Sequence, residues 1–146
     1  MPHRRQNPFF RKILVGYDGS ELSEKAVDVA LSMSTCIDAK IMILAVARPP
    51  EPATRVELDA VLDDAREHFE QGFVKVRERA ANAETEVETF IEVGHPAEHL
   101  IHKAETEHVD LIVVGRRGTS LVAKMMLGSI SERVLRYAHC PVLLVK

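Results

Sequence analysis

The sequence predicts an α/β protein with one five-stranded parallel sheet, in the strand order 3-2-1-4-5, and helices on both faces. Strand-like and helix-like patterns alternate along the chain without an internal repeat. Right-handed crossovers force such a chain into a mostly parallel sheet. The third strand alternates strictly and the fifth closes the series, so we place both at the edges. The 146 residues, 46% apolar and 28% charged, are sufficient for one globular domain.

The first half of the chain predicts two buried strands and the longest helix. Lys12 to Tyr17 is a short apolar strand, and the following turn ends at Ser20, which can cap the first helix. Ile41 to Ala47 is apolar nearly throughout, as expected for a central parallel strand covered on both faces. The longest helix, Val56 to about Ala81, repeats apolar residues at helical intervals: Leu58, Val61, Leu62, Ala65, Phe69, Phe73, Val76 and Ala80.

The second half of the chain predicts three strands and two helices. Glu86 to Val93 alternates between apolar and acidic residues, which is typical of an edge strand with one solvated face. Pro96 begins the third helix, and Val109 to Val114 is the fourth strand. Ser129 and Glu132 have the spacing of a reciprocal capping box at the start of the fourth helix. Val142 to Val145 is the fifth strand.

A glycine-spaced loop between the fourth strand and the fourth helix predicts a ligand site. Gly115, Gly118 and Gly128 allow backbone N–H groups to approach a ligand, and the helix start directs its positive end toward the same point, which suits phosphate. In the predicted strand order, the helices after strands one and four go to opposite faces. The crevice opened there is where such sheets bind ligands. The loop matches neither the P-loop nor the G-x-G-x-x-G pattern, and ordinary loop flexibility is the alternative.

Composition and charge narrow the class of partner. A net charge of −3 predicts no nucleic-acid binding, and the apolar runs are too short to span a membrane. Residues 1–10 are predicted to be a flexible leader. Cys36 and Cys140 are far apart in the sequence and match no metal-binding or redox spacing, so we expect a cytoplasmic protein with free thiols.

Three histidines of the predicted third helix are a candidate metal site. His95, His99 and His102 are spaced so that a transition metal is one possible occupant. No further ligand is placed by the sequence to complete the shell, so the pattern favours a solvated helix face.

From Arg11 onward the chain resembles the universal stress protein family. Three separated signatures carry the resemblance: Gly115-x-x-Gly118-x9-Gly128-Ser129, the segment Ile13 to Ser20 (ILVGYDGS), and the terminal Pro141 to Val145 (PVLLV). It implies one universal stress protein domain over residues 11–146, with a Rossmann-like fold of the adenine nucleotide alpha hydrolase type. It also implies binding of ATP, or of AMP or another adenine nucleotide, with Mg²⁺ as a further candidate at the phosphates.

The resemblance implies roles for individual residues. Asp18 would meet the adenine or the ribose, and Val46 would flank the base. Gly115 and Gly118 would line the ribose and phosphates. Gly128 and Ser129 would offer backbone N–H groups and a hydroxyl to the phosphates. The implied binding set is Gly16, Tyr17, Asp18, Val46, Gly115, Arg116, Arg117, Gly118, Gly128, Ser129, Ile130 and Ser131.

Each of these roles has a plainer alternative. Asp18 can form an Asx turn before its helix, and Ser129 can serve only as a helix cap. Arg116 and Arg117 either neutralise phosphates or are solvated surface arginines.

The expected function is a nucleotide-binding module that regulates a stress response. No acid, base and nucleophile set accompanies the glycine loop, so we do not expect an enzyme, and slow ATP hydrolysis remains the enzymatic alternative. A ligand-free interaction protein is the other. The resemblance implies a homodimer through the edge strand Val142 to Val145. The alternative is a monomer in which Lys146 and the charged helix ends protect this strand from pairing.

Overall fold

The protein is an alternating α/β structure of five strands and four helices in a computed structural model that describes residues 9–116 and 127–146. The elements are β1 Lys12–Tyr17, α1 Glu21–Cys36, β2 Lys40–Ala47, α2 Arg55–Asn82, β3 Val87–Val93, α3 Pro96–Thr106, β4 Leu111–Gly115, α4 Ser129–Tyr137 and β5 Val142–Val145. Most of the predicted leader, together with Arg117 and Gly118, lies outside the described residues. Among the described helices, none is both long enough and apolar enough to cross a bilayer.

The sheet has the predicted strand order, β3-β2-β1-β4-β5, with every neighbouring pair parallel. In its centre, Val15 of β1 is level with Ile43 of β2 and with Val113 of β4. Helices α1 and α2 cover one face, and α3 and α4 cover the other. The prediction that β3 and β5 are the edge strands is confirmed.

Each face of the sheet has its own hydrophobic core because side chains alternate along every strand. In β1, Ile13, Val15 and Tyr17 belong to the core beneath α1 and α2, whereas Leu14 belongs to the core beneath α3 and α4. Central strands therefore bury both faces and read as continuous apolar runs. The apolar stripe predicted along α2 is not buried over its whole length. Leu58, near the start of the helix, is 37% exposed, and the buried residues of α2 begin at Ala65.

Three helix starts follow local sequence signals. The Ser20 hydroxyl accepts a hydrogen bond from the Ser23 N–H at 3.2 Å, so the predicted cap of α1 is confirmed. Helix α2 begins with a capping box that we did not predict, in which the Thr54 N–H donates to the Glu57 carboxylate at 2.6 Å. Pro96 occupies the first turn of α3, where its missing N–H has no consequence.

The predicted capping box of α4 is wrong. Gly128, with φ −64° and ψ 150°, is the N-cap, and Ser129 is already helical. The Glu132 side chain bonds instead to Arg136 at 2.9 Å. A side-chain cap requires its residue to stand in the extended conformation just before the helix, and here glycine takes that position.

The solvated face predicted for β3 is wrong over its second half. Glu88 is exposed, but Phe90 packs against the core beneath α3. The Lys103 ammonium of α3 lies 3.9 Å from the centre of the Phe90 ring. Helix α3 reaches over the carboxyl end of this edge strand, so its later residues are covered on both faces.

A carboxylate fastens the amino edge of the sheet. Asp110 accepts hydrogen bonds from the backbone N–H groups of Arg11 and Lys12, both at 2.9 Å. The Lys12 ammonium donates to the Glu107 carbonyl at 2.9 Å. We call this set the amino-edge clamp, because it ties the start of β1 to the turn between α3 and β4.

Tyr17, the last residue of β1, connects α1 and α2. Its ring packs on Phe69 and Phe73 of α2, and its hydroxyl donates to Glu24 of α1 at 2.5 Å. Arg79 of α2 bonds to the same Glu24 carboxylate at 2.6 Å. The carboxyl end of β1 is therefore held by both helices of one layer.

Gly72 of α2 is required by the position of the Tyr17 hydroxyl, because a Cβ at residue 72 would overlap the Tyr17 hydroxyl oxygen. We expect Gly72→Ala to lower the free energy of unfolding by about 1–2 kcal/mol, against the gain of about 1 kcal/mol that alanine normally gives inside a helix. In a Tyr17→Phe background the nearest ring carbon, Cζ, lies 3.3 Å away, so the same change should be neutral or stabilising. Urea unfolding of the four proteins measures the difference, and an equal loss in both backgrounds would contradict the assignment.

Candidate functional site

The carboxyl ends of β2, β1 and β4 come level at one edge of the sheet. Tyr17 pairs with Ala45, and Val15 pairs with Val113. If both pairings are extended along the strands, Asp18 is level with Val46 of β2 on one side and with Arg116 on the other. The helices that follow β1 and β4 lie on opposite faces. In α/β sheets this arrangement is the one that forms a ligand crevice between the two strand ends.

Asp18 is exposed at this edge and has one carboxylate oxygen committed. Its Oδ1 accepts a hydrogen bond from the Ser20 N–H at 2.9 Å, which is the Asx turn considered from the sequence. Gly19 between them has φ +83°, a conformation that side chains rarely adopt. The second carboxylate oxygen, Oδ2, has no hydrogen bond within the described ranges. The turn therefore orients the carboxylate and leaves one acceptor open.

Gly16 and Tyr17 lie beneath this edge on opposite faces of β1. A Cβ at Gly16 would lie 3.1 Å from both Leu100 and Val114, so the backbone there is pressed against the core of the α3 layer. The Tyr17 side chain points the other way, into the α1–α2 layer, where burial first and its hydrogen bond to Glu24 second raise the pKa of the phenol. At the crevice, Tyr17 presents its backbone rather than its ring.

The two described ends of the glycine loop are joined in a neck, which we define as Gly115, Arg116, Gly128 and Ser131. The Gly128 N–H donates to the Arg116 carbonyl at 3.0 Å, and the Arg116 N–H donates to the Val145 carbonyl of β5 at 2.8 Å. The Ser131 hydroxyl donates to the Gly115 carbonyl at 2.7 Å. The start of α4 is thereby fixed against the carboxyl ends of β4 and β5.

Gly115 also has a packing reason to be glycine. It is the last residue of β4, one position later than the strand end at Val114 that we predicted. A Cβ there would lie 2.9 Å from the Leu22 Cβ of α1. The close approach of α1 to β4 thus depends on the absence of a side chain at this position.

The first turn of α4 presents backbone N–H groups at the same edge. The first intrahelical bond runs from the Glu132 N–H to the Gly128 carbonyl at 2.9 Å. The N–H groups of Ser129, Ile130 and Ser131 precede it and have no carbonyl one turn earlier within the helix. With the positive end of the helix dipole, they form a position that attracts an anion.

Beside Val46, a charged cluster that sequence reasoning missed connects β3 to α3. Glu92 is level with Val46 in the register. Its carboxylate lies 2.7 Å from the His99 Nδ1 and 2.8 Å from the Lys103 ammonium. Gly94, with φ +153°, leaves the space that the His99 ring fills. The sequence carries no signal for this pairing, because it depends on how α3 turns back over β3.

The predicted histidine cluster is divided between different partners. His95 lies 2.8 Å from the Glu51 carboxylate in the loop after β2, and His99 belongs to the cluster with Glu92. His102 lies on the outer surface with Glu98 and Arg133. In the part of the chain that the structure describes, no group of three or more His, Cys, Asp or Glu side chains is arranged to hold a metal ion.

Glu92 makes the contribution of this charged cluster to the stability of the protein depend on pH. Burial alone would raise the pKa of Glu92, but hydrogen bonds from Lys103 and His99 outweigh burial and lower it. A lowered folded-state pKa means that the ionised carboxylate stabilises the fold above its unfolded-state pKa of about 4.3. This contribution is lost as the pH falls through the folded-state value.

We therefore expect Glu92→Gln to lower the free energy of unfolding by about 1 kcal/mol at pH 7. The difference from wild type should shrink as the pH falls below about 4. Glu88→Gln is the matched control, because the Glu88 side chain is 46% exposed in its pair with Lys40 and should change stability by under about 0.5 kcal/mol. Urea unfolding at a series of pH values measures both. A difference at Glu92 that does not vary with pH would contradict the assignment.

Comparison with known proteins gives one family. The model of the universal stress protein family matches residues 9–146. Among curated relatives, the universal stress protein YxiE of Bacillus subtilis is 35% identical over 147 residues, covering 94% of this chain and 99% of the relative.

Solved structures agree with the observed fold. Hypothetical protein MJ0577 superposes with a TM-score of 0.81 at 28% identity, covering 94% of this chain and 96% of that one. A universal stress protein solved in complex with cAMP superposes with a TM-score of 0.74 at 29% identity, covering 94% and 98%.

Proposed function

Since the chain belongs to the universal stress protein family, we propose that it binds an adenine nucleotide, foremost ATP, and regulates a stress response according to its nucleotide state. The observation that supports this most is the meeting of two complementary features at one edge of the sheet. The start of α4 attracts an anion, while Asp18 offers an open acceptor to a ligand that carries hydrogen-bond donors. The related protein solved with cAMP supports an adenine ligand.

In this proposal the ligand lies across the crevice with its base toward β2 and its phosphates toward α4. Val46 flanks the base, and the free oxygen of Asp18 accepts from the adenine amino group or a ribose hydroxyl. Ser129 donates to the phosphates through its N–H and its hydroxyl. The donor role implied for Gly128 is not kept, because its N–H already donates to the Arg116 carbonyl. A carboxylate repels phosphate, whereas a helix start attracts it, so electrostatics alone fix the direction of the ligand. Arg116 and a bound Mg²⁺ would offset phosphate charge.

The position of Gly128 gives a test that leaves the backbone unstrained. Its φ of −64° and ψ of 150° are accessible to any residue, so Gly128→Val should fold like wild type. The added side chain should block the approach of phosphate to the helix start and reduce ATP affinity at least about tenfold, or 1.4 kcal/mol. Isothermal titration calorimetry measures the affinity, and thermal unfolding without ligand serves as the control. Unchanged ATP affinity in a folded variant would contradict the phosphate position.

Asp18→Asn tests the base or ribose contact without removing the Asx turn. Asparagine retains a carbonyl oxygen for the Ser20 N–H but replaces the open acceptor with an NH₂ donor. We expect about a tenfold loss of affinity for ATP and for adenosine alike. A loss confined to ATP would instead place Asp18 near the phosphates.

Two outcomes would favour the alternatives. Phosphate release well above background that disappears in Asp18→Ala, with the fold retained, would indicate an ATP hydrolase. Calorimetry without heat from ATP, AMP and cAMP would indicate a ligand-free interaction protein and end the nucleotide proposal.

We also propose a homodimer through the free edge of β5, in a reducing cytoplasm that suits the free thiols of Cys36 and Cys140. The Pro141 carbonyl accepts from Ile112 of β4, and the Val145 carbonyl accepts from Arg116, the residue after β4. Backbone groups alternate in direction along a strand, so those of Leu144 point toward the free edge. An edge of unpaired N–H and C=O groups is a template for a second chain.

Leu144→Pro should remove an outward N–H while leaving the ladder with β4 intact. We expect it to shift the protein from dimer to monomer in analytical ultracentrifugation. Leu144→Ala, which shortens the side chain but retains the N–H, is the matched control and should remain dimeric. A wild type that sediments as a monomer at high concentration would contradict the proposal directly.

A further inference from the structure

Two serines in the first turn of α4 have the same chemistry and different surroundings. Ser129 is exposed, and its hydroxyl has no partner among the residues that the structure describes. Ser131, two positions later, is 3% exposed, and its hydroxyl donates to the Gly115 carbonyl at 2.7 Å. The family resemblance assigned both to ligand binding, but only Ser129 has a hydroxyl available for a ligand.

The Ser131 hydrogen bond is part of the attachment of α4 to the sheet. It joins the first turn of the helix to the last residue of β4, whose other side is pressed against Leu22 of α1. The second link of the neck joins Gly128, three residues before Ser131, to Arg116, one residue after Gly115. The third, from Arg116 to Val145, fixes the neck to β5. Ser131 provides the one side-chain link among these three contacts.

We infer that Ser131 is a positioning residue, which holds the first turn of α4 so that its free N–H groups face the phosphates, while the Ser129 hydroxyl contacts the ligand directly. This inference rests on the proposed nucleotide binding. Removal of the Ser131 hydroxyl leaves the Gly115 carbonyl without its partner and loosens the helix start. An anion must then order that turn when it binds, and this ordering lowers its affinity.

The experiment compares Ser129→Ala, Ser131→Ala and Ser131→Thr by calorimetry with ATP and with adenosine. Ser131→Ala should weaken ATP binding about tenfold and leave adenosine binding nearly unchanged, because adenosine has no phosphate for α4 to hold. Ser131→Thr retains the hydroxyl and should restore most of the ATP affinity. Ser129→Ala should also weaken ATP binding alone.

Amide hydrogen exchange in the ligand-free protein separates positioning from direct contact. In Ser131→Ala the Gly128 N–H should exchange faster than in wild type, because its bond to the Arg116 carbonyl lies beside the lost link. In Ser129→Ala it should exchange at the wild-type rate. This measurement requires no ligand and remains informative if Ser131→Thr is too crowded to fold.

The outcomes distinguish the inference from the proposal on which it depends. Wild-type ATP affinity in Ser131→Ala overturns the positioning role. A loss of affinity without faster exchange at Gly128 also overturns it, because Ser131 would then contact the ligand itself. If the wild-type protein binds neither ATP nor AMP, the proposed function fails first and the inference fails with it.

Discussion

The pairing of β1 with β4 is the contact on which the candidate site depends. These two strands are far apart in sequence, yet Val15 and Val113 lie side by side at the centre of the sheet. Their following helices leave toward opposite faces, which is the arrangement that opens a ligand crevice beyond the strand ends in α/β sheets. The position of the candidate site therefore follows from the strand order, and its residues are those at the carboxyl ends of the strands.

The two layers of helices support the candidate site in different ways. The α1–α2 layer holds the carboxyl end of β1 by inserting Tyr17 between its helices, where Glu24 and Arg79 complete the polar contacts. The α3–α4 layer contributes the first turn of α4, whose backbone N–H groups lie at the carboxyl end of β4. In the proposed site, these N–H groups and the Asp18 carboxylate are therefore positioned by different layers.

Much of the fold was predictable because the signals are local. The bounds of β1 and β5, the Ser20 cap and the strand order follow from apolar runs, a capping residue and the alternation of elements. The family resemblance, drawn from three separated signatures, is confirmed by the family match. The direction of the Tyr17 side chain was also available in principle, since alternation along β1 places it with Val15.

The remaining features depend on contacts between distant segments. Ser129 looks like a helix cap in sequence, but the neck sets the conformation of Gly128 and moves the cap one residue earlier. Glu92 looks like a solvated residue of an edge strand until α3 turns back and covers it. The separate roles of Ser129 and Ser131 are likewise invisible to a motif, because only the fold shows which hydroxyl already has a partner.

The amino-edge clamp has a practical consequence for handling the molecule. Because Asp110 binds the backbone at the start of β1, Arg11 is fixed at the opposite end of this strand from Asp18. A biotin tether or a fluorescent reporter attached at this residue joins the domain about one strand length from the proposed site. Immobilisation through that end of the sheet keeps the attachment point apart from the residues that surface-based binding measurements would test.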